Sequence, residues 1–234
     1  MRDVLSILCA GAVQGLVKAL EAPFLKQTGA ALQTRFGAVG ALKEALQSGV
    51  ACDVMLVTDA MVVDLQAAGV LDARARAPLG RVRTGIAVRS GAPRPDIATP
   101  ESLEAALLAA SAIYFPDPQR ATAGIHFASV LDRLGIRDAL AARLRTFPNG
   151  ATAMRELAAD AAPGAIGCTQ ITEIRYTPGI ELVGALPKAF ELATVYTAAL
   201  GACTTQPRLA QQFIELLTGA ATQSMRMSGG FEFD

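Results

Sequence analysis

The first seventy residues repeat one unit three times. Each unit is a short apolar run with no helical period, a turn of small residues, a stretch with apolar positions three and four apart, and a closing glycine. Residues 4–10 (VLSILCA) lead into Gly11-Ala12-Val13 and a helical pattern through Leu16, Leu20, Phe24 and Leu25, stopped by Gly29. Residues 31–37 and 39–48 form the second unit, closed by Gly49, and residues 51–57 and 60–68 the third, closed by Gly69. Consecutive βα units with such short connections require a parallel sheet, because each helix must carry the chain back before the next strand. The loops at the strand C-terminal ends then gather over one crevice.

Residues 35–59 (RFGAVGALKEALQSGVACDVMLVTD) show what such a crevice offers. The turn Gly37-Ala38-Val39-Gly40 opens directly onto a helix, so backbone N–H groups at 38–41 point at whatever lies above the sheet. This is an anion site made of backbone.

The pattern changes after the third unit. Residues 81–89 alternate polar and apolar, which predicts a strand with one open face, and Gly91-Ala92-Pro93-Arg94-Pro95 breaks it. Thr99-Pro100-Glu101 starts a helix with an N-cap and a proline at its first position. Strands are predicted at 112–115, 144–147, 165–170 and 180–186, and helices at 122–134 and 151–159. Residues 192–202 read as a return strand, 207–217 as an amphipathic helix, and 229–234 as a short tail. The expected fold class is therefore α/β, with two Rossmann-like lobes of mixed, mostly parallel sheets joined by two crossing strands. Lobe 1 is 1–85 plus 193–234, lobe 2 is 86–192, and a ligand cleft is expected between them.

Composition excludes several functions. Lys plus Arg and Asp plus Glu are 21 each, so no basic field is available for nucleic acid. Cys9, Cys52, Cys168 and Cys203 are widely spaced and form no C-x-x-C pair, and three of them sit inside apolar strand-like runs, which favours structural thiols over a metal site or a disulfide framework. No apolar run is long enough to span a bilayer, so membrane insertion is not expected. Met1-Arg2-Asp3 leads straight into the first strand without a secretory signal, which suits a cytoplasmic protein; a mature periplasmic chain carrying an added Met would read the same. P-loop, nucleophile-elbow and H-E-x-x-H motifs are absent, and with one histidine in the chain no metal or cofactor is implied.

The order of elements, with A-G-A-V-Q-G-L-V-K-A-L at 10–20, Q-T-G-A-A-L at 27–32, F-G-A-V-G-A-L at 36–42 and Q-S-G-V-A-C-D-V at 47–54, resembles the type II periplasmic binding proteins, and among them the molybdate-binding proteins. The resemblance covers nearly the whole chain. It implies two α/β lobes closing on a small ligand held by backbone amides and hydroxyls at helix N-termini. Molybdate binders of this family place serines in the first loop and after F-G-A, where this chain has Val13 and Val39. Losing two hydroxyl donors from a buried oxyanion site leaves oxygens unpaired, at about 1–3 kcal/mol each. Two valines instead suit the carbon skeleton of an organic acid, with N–H groups taking its carboxylate.

The loops expected over the cleft give the candidate ligand residues Gly11, Ala12, Val13, Ala38, Val39, Gly40, Thr58, Asp59, Thr122, Ala123, Asn149 and Gln170. Asp59 is also expected to cap the helix that follows it. His126, near the start of the helix at 122, is the candidate proton carrier, against the plainer alternative of a packed helix residue. Two functions follow. One is a non-catalytic protein that binds a small carboxylate anion and closes by hinge motion. The other is a cytoplasmic isomerase or tautomerase of a small unsaturated or keto di- or tricarboxylic acid, by analogy with an aconitate isomerase related to the same family. Genomic neighbours would separate them. Oligomeric state is left open.

Overall fold

The elements follow from the local patterns. The computed structural model describes residues 3–233. It opens with β1 (Val4–Ala10), α1 (Gly11–Thr28), β2 (Ala31–Gly37), α2 (Val39–Gln47), β3 (Val54–Thr58) and α3 (Asp59–Ala67). β4 (Leu71–Arg89), α4 (Pro100–Ala109), β5 (Ile113–Pro116), α5 (Thr122–Arg133), α6 (Arg137–Leu140), β6 (Leu144–Phe147) and α7 (Gly150–Ala159) come next. β7 (Ile166–Gln170), α8 (Ile171–Arg175), β8 (Ile180–Ala185), β9 (Ala193–Gly201), α9 (Pro207–Thr218) and α10 (Gln223–Gly229) complete the chain. It divides into two units, Met1–Val82 with Thr194–Asp234 and Arg83–Ala193.

In unit 1, β1 pairs in parallel with β2 from Val4↔Ala31 to Ala10↔Gly37 and with β3 from Ile7↔Val54. β9 adds antiparallel to β3, Thr58 opposite Tyr196. Leu5, Leu8, Leu16, Phe24, Met55 and Phe213 are fully buried, and Phe24 meets Phe213 edge-on at 5.0 Å, fastening α9 to α1.

In unit 2, β7 runs parallel to β5 and β5 parallel to β6, while β4 and β7 are antiparallel. β8 lies on the other side of β4, with a bulge between Ile86 and Ala87. One apolar cluster joins Ile86, Leu103, Leu107, Phe127, Leu131 and Cys168, and another joins Ala87, Met154, Leu157 and Ile174. Alternate residues of one strand, Ile86 and Ala87, thus feed both, as a two-sided sheet requires.

The structure corrects several expectations. Gly11-Ala12-Val13 is not a turn but the first turn of α1, since the strand runs straight into the helix. β3 starts at Val54 rather than 51. β4 starts at Leu71, ten residues before the predicted 81. Its early alternation is hidden because the residues turned from solvent, Ala75 and Ala77, are small and the outward ones are Arg74 and Arg76. Of the expected tail, Gly229 ends α10, Glu232 bridges Arg81 and Phe231 is buried. The short helices α6, α8 and α10 carry too few turns to show a period.

Candidate functional site

The parallel strands of unit 1 end at Ala10, Gly37 and Thr58, and α1, α2 and α3 begin on the next residue or the one after. The register Ala10↔Gly37 sets the starts of α1 and α2 side by side. Their N-caps are Ala10 and Ala38, and neither has a side-chain capping bond. An alanine cap leaves the first-turn N–H groups without the oxygen that Ser, Asp or Asn would supply, and the helix dipole adds positive potential there. Gly11, Ala12, Val13, Ala38 and Val39 are buried around these starts, Val13 completely, and Gly40 is half-buried.

The third start is different. Thr58 is the N-cap of α3, its hydroxyl accepting from Met61 N–H at 3.4 Å, so the capping role expected of Asp59 falls to its neighbour. Asp59 is the first helical residue. Its carboxylate accepts from Arg76 Nε (2.8 Å) and Thr197 Oγ1 (2.8 Å), and the Arg76 hydrogen bond holds it below the usual carboxylate range.

In unit 2 the parallel strands end at Pro116, Phe147 and Gln170, followed by α5, α7 and α8. The N-cap of α5 is Ala121, again without a side-chain cap, with Thr122 half-buried and Ala123 buried in the first turn. Gly124 is obligatory there: a Cβ would lie 2.2 Å from the Asp117 carbonyl and 2.3 Å from that of Pro116. α7 is capped by Asn149, whose Oδ1 accepts from Thr152 N–H at 2.9 Å.

A residue that sequence reasoning missed fills the rest of that helix start. Glu173 is 6% exposed; its Oε1 accepts from Ala151 N–H (3.1 Å) and its Oε2 from Thr169 Oγ1 (2.5 Å). Burial pushes its carboxyl up to about 7, against the hydrogen bonds from Thr169 and from the backbone of Ala151, Gln170 and Gly150 that pull it down. Gly150 makes room for it, since a Cβ would stand 2.0 Å from Glu173 Oε2 and 1.9 Å from Thr169 Oγ1. A single glutamate in a sequence gives no sign of this; the Thr-x-x-x-Glu spacing across a strand end is the faint signal that was available.

Gln170, the N-cap of α8, is 2% exposed, and neither Nε2 nor Oε1 has a hydrogen-bond partner. Thr84, directly opposite it in the β4–β7 register, is 1% exposed with an unpartnered hydroxyl, as is Thr172 two residues after Gln170. Buried polar atoms are nearly always paired, so such a group marks a place where something else belongs.

His126 lies on α5, half-buried, with Nε2 2.8 Å from the Phe190 carbonyl. The acceptor is a carbonyl, so Nε2 carries the hydrogen and is committed. Arg133, two turns on, stacks over the Phe190 ring at 4.6 Å and donates to the Ala189 carbonyl. Together they tie α5 to the 189–190 turn.

All four cysteines are reduced. Cys9 and Cys168 are fully buried, and burial raises both thiols well above the usual range and pushes Cys52 up to about 12. Among the described residues no group of three or more His, Cys, Asp or Glu is placed to hold a metal, and no helix is long and apolar enough to cross a membrane.

Known proteins share this architecture. The family of bacterial extracellular solute-binding proteins matches residues 5–232. An aconitate isomerase from a Pseudomonas species is 26% identical, over 96% of this chain and 86% of its own. The periplasmic molybdate-binding protein of Azotobacter vinelandii superposes with a TM-score of 0.78 at 21% identity, covering 98% of this chain and 99% of its own. A sulfate-binding protein from Mycobacterium tuberculosis gives 0.74 at 16% identity, over 98% and 86%. At these identities the two structures speak for the fold, and the match over residues 5–232 speaks for the family. With α/β units whose helices start at the ends of parallel strands, the chain belongs to the bacterial extracellular solute-binding proteins and has the type II periplasmic binding protein fold.

Proposed function

We propose that this protein binds a small organic carboxylate. The observation that carries the reading is the pair of uncapped helix starts at Ala10 and Ala38 in unit 1, set beside Val13 and Val39 rather than hydroxyl side chains. The N–H groups suit a carboxylate, and with valines at these positions there are no hydroxyls to supply the extra donors that a metal oxyanion would use. Relatives named for molybdate and sulfate support a small anion as the ligand class. The aconitate isomerase supports an organic one.

Calorimetric titration of di- and tricarboxylates against molybdate and sulfate tests this. Carboxylates should bind at least tenfold more tightly than either oxyanion; the opposite order would sink the proposal.

The 26% identity to an aconitate isomerase over nearly the whole chain favours a second reading, a cytoplasmic isomerase of an unsaturated polycarboxylic acid. In that reaction a proton leaves a carbon next to one carboxylate and a proton returns at the other end of the allylic system, the double bond moving between them. His126 remains the candidate carrier from sequence, although its Nε2–H is held by Phe190. Proton NMR of a bound acid in D2O separates the readings, because turnover exchanges or moves a C–H and simple binding does neither. An active enzyme whose His126→Ala form exchanges protons at the parent rate would remove the histidine from the mechanism.

A further inference from the structure

Gln170 carries a buried carboxamide with neither end hydrogen-bonded to the protein, and its chemistry restricts what can partner it. Nε2 offers hydrogens and Oε1 offers lone pairs. Thr84, opposite on β4, and Thr172 bring two further hydroxyls without partners, and neither reaches either end of the amide. A bare oxyanion accepts hydrogen bonds but cannot give one, so it would satisfy Nε2 and the threonines and leave Oε1 buried and unpaired. The surroundings add a charge argument. The backbone N–H groups of Gly150, Ala151 and Gln170, which would otherwise receive an anion at this edge, already serve the Glu173 carboxylate. A second negative group arriving beside Gln170 would come close to that carboxyl group, whose ionisation near neutral pH disfavours it.

We propose that Gln170, with Thr84 and Thr172, recognises an O–H group of the ligand, one that donates to Oε1 while accepting from Nε2. The inference rests on the carboxylate reading and deepens it: the ligand is an acid that also carries a hydroxyl or one un-ionised carboxyl. Gln170 is then a specificity residue that selects against ligands whose every polar atom is a bare acceptor.

Matched probes titrated into the whole chain at one pH test this and separate the two sources of the O–H. Malate against succinate, and citrate against tricarballylate, differ by a hydroxyl. The monoamide against the monomethyl ester of succinate differs by a donor at a neutralised carboxyl end. The donor-bearing member of at least one kind of pair should bind about ten- to a hundredfold more tightly. A preference within the hydroxyl pairs assigns a hydroxy acid, and one within the amide–ester pair assigns an un-ionised carboxyl. Gln170→Leu should erase the preference within each pair, bringing the two members to within about threefold of each other. If that variant does not fold, Thr84→Val should reduce the preference. Equal binding within every pair, or a preference that survives the folded variant, overturns the inference and leaves the carboxylate reading standing. Binding of neither member, or tighter binding of sulfate or molybdate, overturns both.

Discussion

The strand C-terminal edges of the two units are built alike and finished differently. In unit 1 the chain leaves α1 and α2 open behind alanine N-caps, and its one acid at that edge, Asp59, is held by Arg76 and Thr197. In unit 2 the start of α7 is closed twice, by the Asn149 side chain and by Glu173, while the unsatisfied side chains include those of Gln170, Thr84 and Thr172. One edge offers backbone N–H groups to a negative charge. The other fills the start of α7 with its own carboxyl and keeps a buried amide at Gln170, with the start of α5 open behind Ala121. The two edges thus differ in whether an acid from the same chain reaches a helix start.

The largest test of this contrast is pH. The folded-state value of Glu173 lies near 7, above its usual 4.5, so between those values the folded chain holds a proton that the unfolded chain has lost. Stability should therefore fall as pH rises from about 4.5 to about 7, by about 3 kcal/mol at most, and level off above. Denaturant titrations across that range should show the slope, and Glu173→Gln should flatten it. A slope of the same size in the variant would mean that another group sets it. Next comes Gly150→Ala, whose Cβ would collide with Glu173 and Thr169; a loss of about 2–3 kcal/mol in chemical unfolding is expected, as for an overpacked core. An unchanged midpoint would show that the α7 start is looser than described.

Asn149→Ala removes a side-chain cap from α7 and should cost about 1 kcal/mol. The converse change, Ala38→Ser, supplies an absent cap to α2. A gain of about 0.5 kcal/mol in the free protein is expected, with weaker carboxylate binding because the serine competes for the same N–H groups. A serine that stabilises the free chain and leaves affinity untouched would remove α2 from the binding surface.

Much of the architecture was legible because it is local. The strand at 144–147 matches β6, the helix at Thr99-Pro100 begins with the expected cap, and each apolar run followed by a glycine-stopped helix became a βα unit. The first half of β4 was not, since alternating alanine against arginine hardly registers as hydrophobic period. At the site, the starts of α2, α3, α5 and α7 could be placed from sequence to within a residue, those of α1 and α8 could not, and neither could the partners of their side chains. Glu173 meets Ala151 across 22 residues, His126 meets Phe190 across 64, and Asp59 meets Thr197 across 138.

By itself the sequence determined where most of the longer helices begin, to within a residue or two, and which of their first turns are made of small residues. Those properties depend on residues a few positions apart. Which helix starts stay open, which is filled by a glutamate, and which amide is stranded without a partner were decided by packing between segments far apart in the chain. Burial and long-range hydrogen bonds set the free energy of a charge or an amide there, and neither exists until the strands are assembled.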